Sequence, residues 1–239
     1  MKKIILISFI LFSQYTIAQA ALFAILFGDK VATENFIIGM EIGVPLGNIS
    51  NSLGNSVKTG ITFGIAGNIK FNDNWSLHPT AYFLSRRGAK FDEASLMSND
   101  VVLNNKFQNV PTKLTLSYID VPVFLNYRFN DSPFKIGIAP QISFITGSQA
   151  VFSNAEGDFE TSIKDVTNST DIGMIIQLGY IFYSKKFNKE IHAQLRYFQG
   201  FNDIYENSFV TGSNKSSYIG LAFSLPFVAK TENVEKLEP

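Results

Sequence analysis

The chain has 239 residues, no cysteine and a formal net charge of zero. Disulfides, thiolate metal centres, a cysteine nucleophile and a basic footprint for nucleic acid are thereby excluded. Charged residues make up 17% and aromatic residues 14%, against the roughly 25% charged that soluble domains carry.

Taken in chain order, Lys2-Lys3, the apolar run Ile4 to Phe12 (broken by Ser8) and Ala18-Gln19-Ala20 read as a secretory signal peptide over 1–20. Residues 21–35 form an N-terminal segment that opens on Ala21 to Phe27. That run is too short to span a bilayer. It fits either a short helix against a barrel base or a cleavage point further along.

From 36 to 227 the side chains alternate with period two, the signature of strands whose successive residues leave on opposite faces. Ile38, Met40, Ile42 and Val44 alternate with Gly39, Glu41 and Gly43. Ile61, Phe63, Ile65 and Ile69 alternate with Thr62, Gly64, Asn68 and Lys70, and Asn72-Asp73-Asn74 turns the chain. Trp75, Leu77, Ala81 and Phe83 oppose Ser76, His78, Thr80 and Tyr82. The clearest hairpin runs from Leu114 to Phe144. Ile119, Val121, Val123, Leu125, Tyr127 and Phe129 share one face against Tyr118, Asp120, Pro122, Phe124, Asn126 and Arg128. After Asn130-Asp131-Ser132-Pro133 the alternation restarts, with Phe134, Ile136, Ile138, Ile142 and Phe144 against Lys135, Gly137, Ala139, Gln141 and Ser143. Three further strands follow around 172–182, 191–198 and 218–227. The fold predicted is an all-β, eight-stranded antiparallel up-and-down barrel. The charged stretch 228–239 is its periplasmic tail.

Connections alternate in length as regularly as side chains alternate in face. Short turns fall at 72–74, 130–133 and about 183–190, and longer polar stretches at about 46–57, 85–113, 145–170 and 200–216. Transmembrane barrels have this asymmetry, with short periplasmic turns and long external loops. The smaller, polar set is mainly Gly, Ala, Ser, Thr, Asn and Gln, which suits a narrow lumen. The larger set ends in aromatic residues beside the short turns, where an interfacial girdle sits. Strands of about ten residues are long enough to cross hydrocarbon when tilted. These features predict an apolar face toward lipid, in the outer membrane of a Gram-negative bacterium, with outer-membrane lipid as a partner and a monomeric barrel.

The strand Ser117-Tyr118-Ile119-Asp120-Val121-Pro122-Val123-Phe124-Leu125-Asn126-Tyr127-Arg128-Phe129 resembles one in PorT-like outer-membrane β-barrel proteins of Bacteroidota. Leu77-His78-Pro79 with Ser85-Arg86-Arg87-Gly88-Ala89-Lys90 is similar to another, although Thr80 stands where that family usually has an acid. The resemblance implies an integral outer-membrane protein. It also implies, through the founding member of that family, a partner in a secretion or envelope apparatus.

Glu41, Lys70, Asp120, Arg128, Lys135, His192 and Arg196 are expected to point into the lumen as a structural ion-pair network. Lys135 or Arg196 is the expected partner of Asp120. Arg86, Arg87 and Lys90, at the mouth of a long loop, are candidate contacts for lipid phosphate. Glu156, Asp158, Glu160, Asp165 and Asp171 read as a solvated acidic loop, since their spacing fits no EF-hand. Neither histidine, His78 or His192, has the serine spacing of an acyl-transfer site. No cofactor or metal is expected. The function that follows is a non-enzymatic anchor or binding platform. A lipid-modifying enzyme and a soluble lipocalin-like carrier are the alternatives.

Overall fold

The computed structural model describes residues 36–50, 56–96, 98–184, 189–206 and 212–228. The expected signal at 1–20, the segment 21–35 and the tail beyond Val228 lie outside the described residues. Alternating sequence becomes ten strands: β1 Phe36–Ile49, β2 Ser56–Thr59, β3 Ile61–Lys70, β4 Trp75–Ala94, β5 Val110–Arg128, β6 Phe134–Asn154, β7 Gly157–Ser162, β8 Thr170–Ser184, β9 Lys189–Asp203 and β10 Lys215–Val228. Among the described residues one short α-helix, α1 Val101–Lys106, starts at Asp100, whose carboxylate accepts the Val102 and Leu103 N–H groups.

Every pairing is antiparallel, and the last strand returns to the first, with Leu46 opposite Ile219 and Glu41 opposite Ser224. Both β2 and β3 pair with β1 and β4, so they form one wall strand broken at Gly60. A Cβ at Gly60 would lie 1.9 Å from the Arg86 carbonyl oxygen. Only glycine allows the two backbones to approach so closely. β7 pairs with β6 alone and stands off the wall. Eight wall strands therefore close into a barrel. Closure matters because an open edge in hydrocarbon would leave backbone groups unpaired, at several kcal/mol each.

The large apolar set faces outward. Val121 is 38% exposed, Ile138 47%, Ile176 56% and Leu221 53%, values that a packed interior would not allow. At the short-turn rim Trp75 meets Tyr127 edge-on with ring centroids 5.0 Å apart, and Phe134 meets Tyr180 at 5.2 Å. These residues form an aromatic girdle around that rim.

Two expectations about the other rim are corrected. The stretches 85–113 and 145–170, expected as loops, are in large part strand, and β4, β5 and β6 reach 20, 19 and 21 residues. The reason is a change of polarity within an unbroken alternation. On β5, Ile119 and Val121 face out while Asp120 faces in; six residues earlier, Lys113 faces out while Leu114 faces in. Above the lipid the outer solvent is water, so the apolar side turns inward. Leu114, Leu116, Ala150, Phe152, Ile49 and Ile204 fill this crown with an apolar core, against which Leu103 of α1 and Phe159 of β7 pack.

Candidate functional site: a filled lumen and a basic outer wall

Inside the membrane-spanning part, polar and aromatic layers alternate along the axis. Nearest the short turns, a vestibule of about 710 Å³ is lined by Lys70, Arg128, Glu190, His192 and, at its floor, Lys135. Lys135 Nζ donates to His192 Nδ1 at 3.1 Å, and Arg128 lies 3.8 Å from Glu190, both half-exposed.

The next layer centres on Glu41, which is fully buried. Its carboxylate takes Arg196 Nη1 on one oxygen and His78 Nε2 at 3.1 Å on the other, and the Tyr82 hydroxyl donates to it as well. Arg196 Nε also donates to Gln177 Oε1 at 2.9 Å, and Gln177 Nε2 donates to Asn126 Oδ1 at 2.6 Å. Glu41 and Arg196 are far apart in sequence but meet because β1 closes on β10, next to β9.

Above this lies an apolar layer of Phe124, Ala139, Ile175, Phe198 and Tyr218, with the first four fully buried. The Arg196 guanidinium sits 4.5 Å from the Phe124 ring centre on one side. On the other, Arg87 lies 5.2 Å from the Tyr218 ring and 3.6 Å from Tyr118. The aromatic septum is thus clasped between two cations, each favoured over a ring face.

Arg87 anchors the last polar layer. It donates to both oxygens of Asp120, at 2.7 and 3.2 Å, and lies 3.7 Å from Asp171. Asp171 in turn accepts the Ser216 hydroxyl at 2.5 Å. The fully enclosed charges Glu41, Asp120 and Asp171 are balanced by Arg87, Lys135 and Arg196. Neutrality of this kind is what burial in a low dielectric demands.

The structure sorts the residues singled out from sequence as follows. Glu41, Asp120, Lys135 and Arg196 lie inside the lumen, while Lys70 and Arg128 stand at its mouth with His192 just within. The partner of Asp120 is Arg87, neither Lys135 nor Arg196. Arg87 is therefore no lipid contact. It is 2% exposed and points inward. A register shift between Tyr82 and Ser85 reverses the alternation there, so Ser85 and Arg87 turn in and Arg86 and Lys90 turn out. The adjacent apolar pair Phe83-Leu84 is the sequence trace of that bulge. The acids of 153–171 disperse: Glu156 pairs with Lys106, and Asp171 is buried within the barrel. Among the described residues, no three side chains gather in a metal-holding group. His78 bonds to Glu41, and His192 to Lys135, with Glu190 at 3.6 Å. Neither imidazole has a serine partner among the described residues.

Sequence reasoning missed Lys58 and Lys113. Both stand with Arg86 and Lys90 where β2, β4 and β5 rise out of the apolar belt, and Lys90 and Lys113 are direct cross-strand partners. Lys58 Nζ donates to the Leu114 carbonyl at 3.1 Å and contacts the Thr115 hydroxyl. It reaches them from β2 across β4, where Gly88, the register partner of Thr115, brings no side chain into its path. Partial burial, then the charges of Lys113 and Lys90, hold the Lys58 ammonium below the ordinary lysine range.

A family model described as outer membrane protein beta-barrel domain matches residues 17–206. Among solved structures, the attachment invasion locus protein Ail of Yersinia pestis is 12% identical with a TM-score of 0.42, over 80% of this chain and 98% of that one. Neisserial surface protein A is 10% identical with a TM-score of 0.41, over 80% and 96%. The outer membrane protein AlkL is 11% identical with a TM-score of 0.41, over 84% and 94%. Comparison with curated proteins finds no match.

Proposed function

Because this chain belongs to the outer membrane protein β-barrel domain family and resides in the Gram-negative outer membrane, we propose that it is a non-enzymatic module whose crown is a binding platform held above the lipid. The single observation that carries this reading is the filled lumen. A septum of the fully buried Phe124, Ile175 and Phe198 stands between two ion-paired layers, which supports reading the barrel as non-conducting. A barrel that does not conduct has its value in what its walls and crown present. The crown supports the same reading, since its own apolar core gives the external surface a fixed shape. The partners of His78 and His192 speak against acyl transfer, which needs a base bonded to its nucleophile. The PorT-like sequence of 117–129 favours a partner in a secretion or envelope apparatus of Bacteroidota.

The test is photo-crosslinking in native outer membranes from the exposed positions Asp158 on β7 and Gln149 on β6, with Asp131 in a short turn as control. A discrete protein adduct from the crown positions, absent from Asp131, is the expected result. No adduct from either crown position would overturn the platform reading, as would acyl transfer by the purified barrel.

A further inference from the structure

The outer wall carries a stripe of four cations, Arg86, Lys58, Lys90 and Lys113, with no carboxylate of the described residues within ion-pair distance of any of them. Of the buried cations of the barrel, Arg87 and Arg196 pair with acids and Lys135 bonds to His192. Placing like charges directly opposite one another in a sheet is destabilising, yet Lys90 and Lys113 are register partners and Lys58 lies beside both. Asp92 and Glu93, the nearest acids along β4, stand beyond Lys90 on the side away from the lipid. The stripe lacks its anion.

Its height decides which anion. Arg86 is the register partner of Ile61 on one side and Ser117 on the other. Ile61 and Leu84 are exposed apolar residues at the upper edge of the belt. Outward positions change from apolar to basic within two residues, from Leu84 to Arg86, or roughly 7 Å along a strand. Lys58, Lys90 and Lys113 continue upward for about another 13 Å. That depth is where head groups of the outer leaflet lie, between hydrocarbon and water.

We propose that Arg86, Lys58, Lys90 and Lys113 form a binding site for the phosphate groups of a phosphorylated outer-leaflet glycolipid, whose acyl chains lie along the apolar wall below. Arg86 meets the phosphate nearest the hydrocarbon. The three ammonium groups take a second phosphate or acidic sugar above it. The stripe spans β2, β4 and β5, which are held rigid by the wall, so the cations are positioned before the lipid arrives. This site rests on the outer-membrane orientation, with the crown outside, and is independent of whether the crown binds a protein.

The purified full chain, folded in detergent, is titrated with a fluorescent bisphosphorylated lipid A-type glycolipid, with the same glycolipid lacking phosphates, and with soluble inorganic polyphosphate. A triple variant, Lys58→Gln with Lys90→Gln and Lys113→Gln, is compared with the exposed single variant Lys113→Gln and with wild type. Heat-dependent gel mobility reports folding separately from binding. Each cation near an anionic surface contributes roughly fivefold in affinity, so the triple variant weakens glycolipid binding about a hundredfold and the single variant about fivefold. The dephosphorylated glycolipid binds wild type no better than it binds the triple variant. Equal affinity of folded wild type and single variant for the phosphorylated lipid would overturn the site. Binding of polyphosphate with no binding of glycolipid would overturn its assignment to lipid.

Discussion

Replacing Glu41 by alanine tests whether the lumen network holds the barrel together. Glu41 is completely enclosed and receives Arg196, His78 and Tyr82. Its removal strands the Arg196 guanidinium away from water, and breaking a buried pair in this way costs about 3–5 kcal/mol. Arg196 keeps its hydrogen bond to Gln177 at 2.9 Å and its place over the Phe124 ring, so the lower half of that range is expected. A loss of ~3 kcal/mol is roughly a hundredfold in the folding equilibrium. Urea unfolding in lipid vesicles, followed by the fluorescence of Trp75, the single tryptophan of the chain, measures it. The double variant Glu41→Leu with Arg196→Met removes both charges and should recover more than 1 kcal/mol of the loss, because hydrophobic replacement of a whole buried pair is often neutral. If Glu41→Ala unfolds within ~0.5 kcal/mol of wild type, the range of an ordinary surface substitution, the pair contributes nothing and the reasoning fails.

Three further outcomes follow from the fold. Ile138→Arg, in the middle of the outward belt, should cost about 2–4 kcal/mol in bilayer-embedded unfolding, while Thr115→Arg above the hydrocarbon, at the level of the head groups, should cost about 0–1; equal costs would place the hydrocarbon boundary elsewhere. Gly60→Ala drives a methyl into the Arg86 carbonyl and should cost ~2 kcal/mol or more, read as a lowered folded fraction by gel mobility. Lys58 titrates lower in the folded chain than its ordinary 10.5, so the unfolded chain binds the extra proton between the two values. The lipid-free barrel should therefore gain stability as pH rises through that window, with a shallow slope because the group is half-exposed. Lys58→Gln should remove the slope.

The wall was largely legible from the chain because lipid enforces period two without relief. Ile136, Ile138 and Ile142 against Lys135, Gly137 and Gln141 leave one reading. Three things were harder. Arg87 looked like a rim cation because the strand was ended at Phe83 and a loop begun at Ser85, whereas the bulge at Phe83-Leu84 lets β4 continue with its alternation reversed. The stretches 85–113 and 145–170 looked like loop because their outward positions, such as Lys113 and Gln149, are polar while Ala150 and Phe152 turn inward, so the apolar set changes sides without breaking the alternation. That pattern meant strand only once the outer solvent had changed. Pairings such as Glu41 with Arg196 and Asp120 with Arg87 depend on register around a closed ring, which no local window contains.

The crown's core draws Ile49 from the first strand, Leu114 and Leu116 from the middle and Ile204 from near the end. It cannot be completed until the ends of the chain have met. During insertion the external half would thus be the final part to set, and its order would certify that the cylinder beneath has been sealed. Any antibody or phage that reads the surface of the crown would in effect be recognising only finished molecules.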